Sequence, residues 1–178
     1  MLKLVIGNKN YSSWSMRPWL ALRGNDIPFE EVFIPLYTDD KADKDRILSF
    51  SRAGKVPALI DGGLTVWDSL SIIEYLAEKF PQAKLWPEDR ARRAHSRSIS
   101  AEMHSGFMPL RNECGMNLHR PVGAIDLSVA DLIDVCLEEN ERRLSGYDGR
   151  LLRPNLVPRL MRFARRFVRR PNPAAAPS

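Results

Sequence analysis

Cysteine and histidine are scarce in this chain. Its 178 residues hold two cysteines, Cys114 and Cys136, and three histidines, His95, His104 and His119. The cysteines make no CxxC pair and the histidines no ligand-like spacing, so neither a disulfide framework nor a metal site is expected. No apolar run approaches the roughly 18 residues of a membrane-crossing helix, so no integral membrane segment is expected. The opening "MLKLVIG" is too short for a secretory leader and no small-residue cleavage site follows it, so the expected location is cytoplasmic. Acids are missing altogether from Arg150 onward, a stretch with eight of the 27 basic residues. That leaves 19 bases against 22 acids elsewhere, a net charge of −3. The overall +5 belongs to the tail, which excludes a body-wide nucleic-acid surface. There is no internal repeat.

What is present is a soluble-protein composition, 44% hydrophobic and 28% charged. Strand and helix signals alternate over the first 80 residues. "LKLVIG" is a short apolar run ended by glycine, a buried strand. Met16, Trp19, Leu20 and Leu22 predict a helix over Ser15 to Arg23, with Pro18 in its first turn. "FEEVFIPL" predicts a second strand limited by Pro35, and "KDRILSF" a short helix. In "VPALIDGGLTVWD", Pro57–Ile60 and Leu64–Val66 form a hairpin across Asp61-Gly62-Gly63. Asp68 then caps a helix to Phe80, with Leu70, Ile73, Tyr75, Leu76 and Phe80 expected to be buried. The order β-α-β-α-β-β-α makes a mixed sheet with a crossover helix on each side. Residues 81–89 read as a linker, and helices are expected over Arg90 to about Asn117, Ser128–Leu144 and Leu156–Arg170, before a disordered tail at 171–178.

Three constellations bear on chemistry. The Val56-Pro57 bond enters a hairpin, where a cis peptide would turn the Val56 amide and carbonyl outward for an extended peptide to pair with. Asp68-Ser69 opens a helix whose free amides and Ser69 hydroxyl suit a carboxylate, while Asp68 suits an ammonium group. In "NYSSWSMRPWL", three serines crowd a strand-to-helix turn, where hydroxyls and the helix start stabilise an anion such as a thiolate. Each constellation has a plain structural alternative: a hairpin proline, a capping box, a helix cap. One cap accounts for one serine, not three.

These stretches resemble the glutathione S-transferases. "SSWSMR" is similar to the "SSCxxR" run of the zeta class, "GKVPAL" to the cis-proline hairpin, and "DSLSIIEYL" to the helix start "ES-x-x-I-x-x-Y-L", in the right order from Leu2 to about Asn117. The resemblance implies a thioredoxin-like α/β domain over residues 1–80 and an all-α domain over 90–170, the latter shortened. It implies Ser12, then Ser13, as donors to the sulfur of glutathione, the co-substrate. Val56, beside a cis Pro57, would pair with the cysteinyl part, Ser69 would take the γ-glutamyl carboxylate, Asp68 the amino group and Lys55 the glycyl carboxylate. Tyr11 and Trp14, with Met103, His104, Phe107 and Arg111 at helical spacing, are candidates for the pocket of a small electrophile, or are core and surface residues. A homodimer is implied.

Two departures stand out. Trp14 replaces the zeta-class cysteine, which argues against that class's isomerase chemistry, and Asp68 replaces a glutamate. From about Val122 the family pattern fades, although "SVAD" offers a capping box. The last stretch has Leu156, Leu160, Phe163 and Phe167 on one face and arginines on the other. A membrane- or partner-binding helix, a family-type last helix, or a tail from a deletion or frame shift all fit it. The expected activity is conjugation of glutathione thiolate to electrophiles. A non-catalytic glutathione-fold binding or regulatory module and a glutathione-dependent isomerase are the alternatives.

Overall fold

The computed structural model describes residues 1–113 and 115–118. Cys114, His119, Cys136, the "SVAD" cap and the helices expected over 128–144 and 156–170 lie outside the described residues, as does the tail. The described chain runs β1 (Leu2–Ile6), α1 (Ser13–Gly24), β2 (Phe29–Phe33), α2 (Lys41–Phe50), β3 (Ala58–Asp61), β4 (Leu64–Trp67), α3 (Ser69–Lys79), a 3₁₀ turn (Pro81–Ala83), α4 (Arg90–Ser105) and α5 (Met108–Glu113). The sheet order is β2-β1-β3-β4. β1 and β2 are parallel, with Leu4 opposite Glu31, so α1 must serve as their crossover. β3 runs antiparallel to both β1 and β4, with Leu4 opposite Leu59 and Ala58 opposite Trp67. This is the thioredoxin-like α/β arrangement.

Alternation along β1 divides the core between the two faces of the sheet. Leu2, Leu4 and Ile6 pack with Trp19 and Leu22 of α1, Leu59 of β3, and Ile72 and Leu76 of α3. Val5 points the other way, into a cluster with Val32, Ile34, Ala58 and Ile47 of α2. In α3 the fully buried stripe is Ser69, Ile72 and Leu76. Leu70, Ile73, Tyr75 and Phe80, expected inside, are only partly covered. A serine at the head of the stripe shifts the buried face away from the one the apolar residues alone suggest. Helix α1 begins two residues earlier than expected, which moves Pro18 into its second turn, where it is fully buried.

The linker is tied down. The Trp86 indole donates to Glu74 (3.1 Å), and Arg97 grips the same carboxylate through two nitrogens (3.0 and 3.1 Å) while lying 5.6 Å from the Trp86 ring centroid. The long helix expected from Arg90 breaks at Gly106 and Phe107. A Cβ on Gly106 would stand 2.9 Å from the Glu102 carbonyl oxygen, and Phe107 takes a positive φ of 60°. Further on, the chain returns to the first turn. Leu118 N–H donates to Asn10 Oδ1 (2.7 Å), and Asn10 Nδ2 donates to Asn117 Oδ1 (3.0 Å).

At the hairpin, Asp61 accepts from the Tyr75 hydroxyl (2.5 Å) and pairs with Lys79. Its bonds from Lys79 and Tyr75 hold the Asp61 carboxyl below the usual carboxylate range, and the same carboxylate pushes the Tyr75 phenol up. A carboxyl with a depressed folded value stabilises the fold above its unfolded value, and that contribution disappears as pH falls through the folded one. Asp61→Asn should therefore shift acid unfolding to higher pH. It should also let Tyr75 ionise at lower pH, as read by ultraviolet titration of tyrosinate.

Candidate functional site

One cleft of about 500 Å³ gathers residues from four segments. Lys55, Val56 and Pro57 come from the turn into β3, Asp68 and Ser69 from the start of α3, Trp14 from the start of α1, and His104 from α4. The Val56-Pro57 peptide is cis.

The start of α3 is its polar end. Asp68 is the N-cap: its Oδ1 accepts from Leu70 N–H (2.9 Å) and Ser71 N–H (3.4 Å). Its other oxygen, Oδ2, lies 3.0 Å from His104 Nε2. Asp68 has a φ of 72°, a conformation that costs a non-glycine residue about 1–3 kcal/mol and collects at functional sites. Ser69 is 1% exposed, and its Oγ has no hydrogen-bond partner among the described residues. A buried hydroxyl left unpaired is costly, and here it borders an open cleft at a helix start.

The serine turn divides its labour. Ser12 caps α1, accepting from Ser15 N–H (3.3 Å), and its hydroxyl donates to Ser15 Oγ (2.8 Å). Ser15, fully buried, also accepts from Gly7 N–H (3.1 Å) at the end of β1. Two of the three serines therefore knit strand to helix, and Ser13 opens the helix, half-buried. Neither Ser12, 7% exposed, nor Ser13 lines the cleft; Trp14 beside them does. No acidic residue occupies the first turn of α1, so its positive end is uncompensated there.

Trp14 is a hub. The Arg17 and Arg111 guanidiniums lie 4.3 and 4.6 Å from its ring centroid, and the His104 ring meets it edge-on at 5.1 Å. Burial, with Arg111 close by, pushes Arg17 below the usual arginine value, and Asp68 pulls the other way. Arg111 also donates to the Gly106 carbonyl (2.8 Å) and to that of Met103, closing the end of α4.

A second cleft of about 330 Å³ adjoins the first, sharing Ser69 and His104. Met103 lines it, as do Arg17, Leu70, Ile73, Trp86 and Ile99. Of the residues expected in an electrophile pocket, Tyr11 is outside both clefts, exposed and edge-on to Tyr37 at 6.2 Å. Phe107 is outside as well, at the break between α4 and α5. Arg111 touches Trp14 without lining either cleft. Sequence reasoning missed Arg17 and Trp86. Arg17 lies one helical turn from Ser13 and Trp14, a spacing that could have flagged it. Trp86 had no signal, standing in a stretch without periodicity.

Comparison with known proteins points to one family for the first domain. Residues 11–79 match the family described as glutathione S-transferase, N-terminal domain. A probable maleylacetoacetate isomerase of Caenorhabditis elegans is 38% identical over 100 residues, 56% of this chain and 45% of that one. The maleylacetoacetate isomerase of Pseudomonas aeruginosa is 35% identical over 124 residues, 68% of this chain and 58% of that one. Among solved structures, a Burkholderia glutathione transferase homolog with bound glutathione superposes with a TM-score of 0.52 at 30% identity, over 62% of this chain and 57% of its own. Residues 11–79 therefore form a domain of the glutathione S-transferase N-terminal kind. It spans about half the length of the curated relatives it matches.

Proposed function

We propose that this protein binds glutathione in the cleft between the turn into β3 and the starts of α1 and α3, and directs its thiolate at a small electrophile. The observation that carries this is the buried Ser69 hydroxyl at the mouth of α3, without a partner among the described residues. A carboxylate there would accept from that hydroxyl and from the helix start, which suits the γ-glutamyl end of the tripeptide. Asp68 Oδ2 offers the adjacent ammonium a partner, the Val56 backbone a strand-like pairing for the cysteinyl residue, and Lys55 a cation for the glycyl end. The sulfur then falls near the start of α1, with Trp14 as its wall and, as hydroxyl donor, Ser13 or a Ser12 hydroxyl turned away from Ser15. The second cleft, with Arg17, Trp86 and Met103, takes the electrophile. A unit over 1–80, a helical unit over 90–170, a homodimer and a cytoplasmic setting belong to the same reading.

The relatives named as maleylacetoacetate isomerases favour a second reading, in which the same thiolate adds to a substrate double bond and leaves again. Trp14, in place of that class's cysteine, favours conjugation.

Thiolate absorbance during a glutathione titration tests the assignment. The bound thiol should ionise below the ordinary thiol value of about 8.5. Removing the donor hydroxyl should raise that value by about one pH unit, one charge-assisted hydrogen bond. If Ser12 is the donor, Ser12→Ala shows this shift together with a stability loss of about 1 kcal/mol for the cap. If Ser13 is the donor, Ser13→Ala shows the shift with stability intact. A thiol that titrates alike free and bound would overturn the reading.

A further inference from the structure

The junction of the two clefts holds an imidazole that neither the family comparison nor the proposed reaction uses. His104 reaches from α4 to the head of α3 and borders both clefts. Its Nε2 lies 3.0 Å from Asp68 Oδ2, an ion-pair distance when the ring is charged. Its Nδ1 is buried with no hydrogen-bond partner among the described residues. Oδ1 of Asp68 is taken by the Leu70 and Ser71 amides, so a ligand's ammonium would share Oδ2 with His104.

We propose that His104 sets the affinity of the site for the amino end of its ligand by sharing Asp68 with it, so that binding weakens when the imidazole gains a proton. The inference rests on glutathione as the ligand. With a neutral imidazole, the pair keeps the full negative charge of Asp68 and the ring contributes only an N–H. An incoming ammonium finds an anion. With a protonated ring, the pair is neutral and the ammonium meets a second cation across the same oxygen. The proton added at Nδ1 has no acceptor among the described residues.

The other charges around the ring do not change sign in this range. Arg17 of α1 and Arg111 of α5 flank Trp14, against whose ring the imidazole packs, and both remain cationic. Lys55, on the opposite side of the first cleft, is a further cation. Together they make a second positive charge on His104 more disruptive to a bound ammonium. Imidazoles as a class change charge between about pH 5 and 8, where carboxylates and guanidiniums do not.

Calorimetric titration of the full chain at two pH values, about 5.5 and 7.5, tests this with two ligands. S-methylglutathione, whose sulfur cannot ionise, should bind about tenfold more tightly at the higher pH, the size of one close charge contact in a partly wet site. Its amine-free analogue, S-methylated glutaryl-cysteinylglycine, should bind equally at both. His104→Gln keeps a donor for Asp68 but no titrating charge, so its affinity for S-methylglutathione should be flat in pH and match the tighter wild-type value. If S-methylglutathione binding is flat in pH in the wild type, or if the amine-free ligand shows the same dependence, the role of His104 is overturned while the glutathione site stands. Failure of both ligands to bind at millimolar concentration would overturn the site itself. The wild-type comparison decides the matter even if the variant does not fold.

Discussion

Ser69→Ala should weaken glutathione binding by about 10- to 150-fold, the weight of one hydrogen bond to a charged group at roughly 1.5–3 kcal/mol. The same substitution should leave thermal stability unchanged or slightly raised. The Ser69 hydroxyl is buried with no partner among the described residues, so the ligand-free fold bears its desolvation without return. Removing an unsatisfied hydroxyl relieves that cost. Ser15→Ala is the internal control: its hydroxyl accepts from Gly7 N–H and from the Ser12 hydroxyl, so its loss should destabilise by about 1–3 kcal/mol. Calorimetric titration gives the affinities and thermal melting the stabilities. A Ser69→Ala protein that binds as tightly as the parent would remove the main support for a carboxylate at the head of α3. The pattern is that of a residue kept for its ligand at the fold's expense.

The largest stability effect is expected at Leu4, which is fully buried at the centre of β1. It packs in the cluster that joins β1 and β3 to α1 and α3. Leu4→Ala should cost about 2–5 kcal/mol, transfer and cavity together. Small domains have a total of about 5–15 kcal/mol, so this is a large share. Urea unfolding should show a lower midpoint with an unchanged slope. Leu48→Ala is the comparison: Leu48 is 41% exposed on α2, and its loss should change stability by less than about 1 kcal/mol. Equal midpoints for the two variants would contradict the division of the core between the two faces of the sheet.

The hairpin was legible because its turn is written in residues whose chemistry admits few alternatives: Asp61-Gly62-Gly63 between two apolar runs. The caps were legible where a single aspartate precedes an apolar pattern, as Asp68 does. Helix α2 was under-read. Its first turn, within "DDKADKD", has no apolar period, and only Asp40 accepting from Ala42 N–H (2.8 Å) marks its start. The serine turn was half-legible. Its hydroxyls were recognisable, but Ser15's task depends on Gly7 N–H, a contact made only once strand and helix are folded together. Nor could the sequence bring Arg111 to Trp14, or His104 to Asp68, since those pairs meet across the fold. Residue identities carried the proline turn into β3 and the capped start of α3. The side chains that tune them are set by long-range packing.

The clasp between Asn10 and the Asn117–Leu118 segment joins positions 107 and 108 residues apart in the chain. Closing so long a span is entropically slow, and during synthesis its far end emerges well after the sheet and its two flanking layers can form. The loop that leads into Ser12 therefore acquires this restraint late, after the sheet has formed. Completion of the proposed site is in this way tied to the arrival of residues 117 and 118, although every group proposed to hold the tripeptide comes from the first 69 residues.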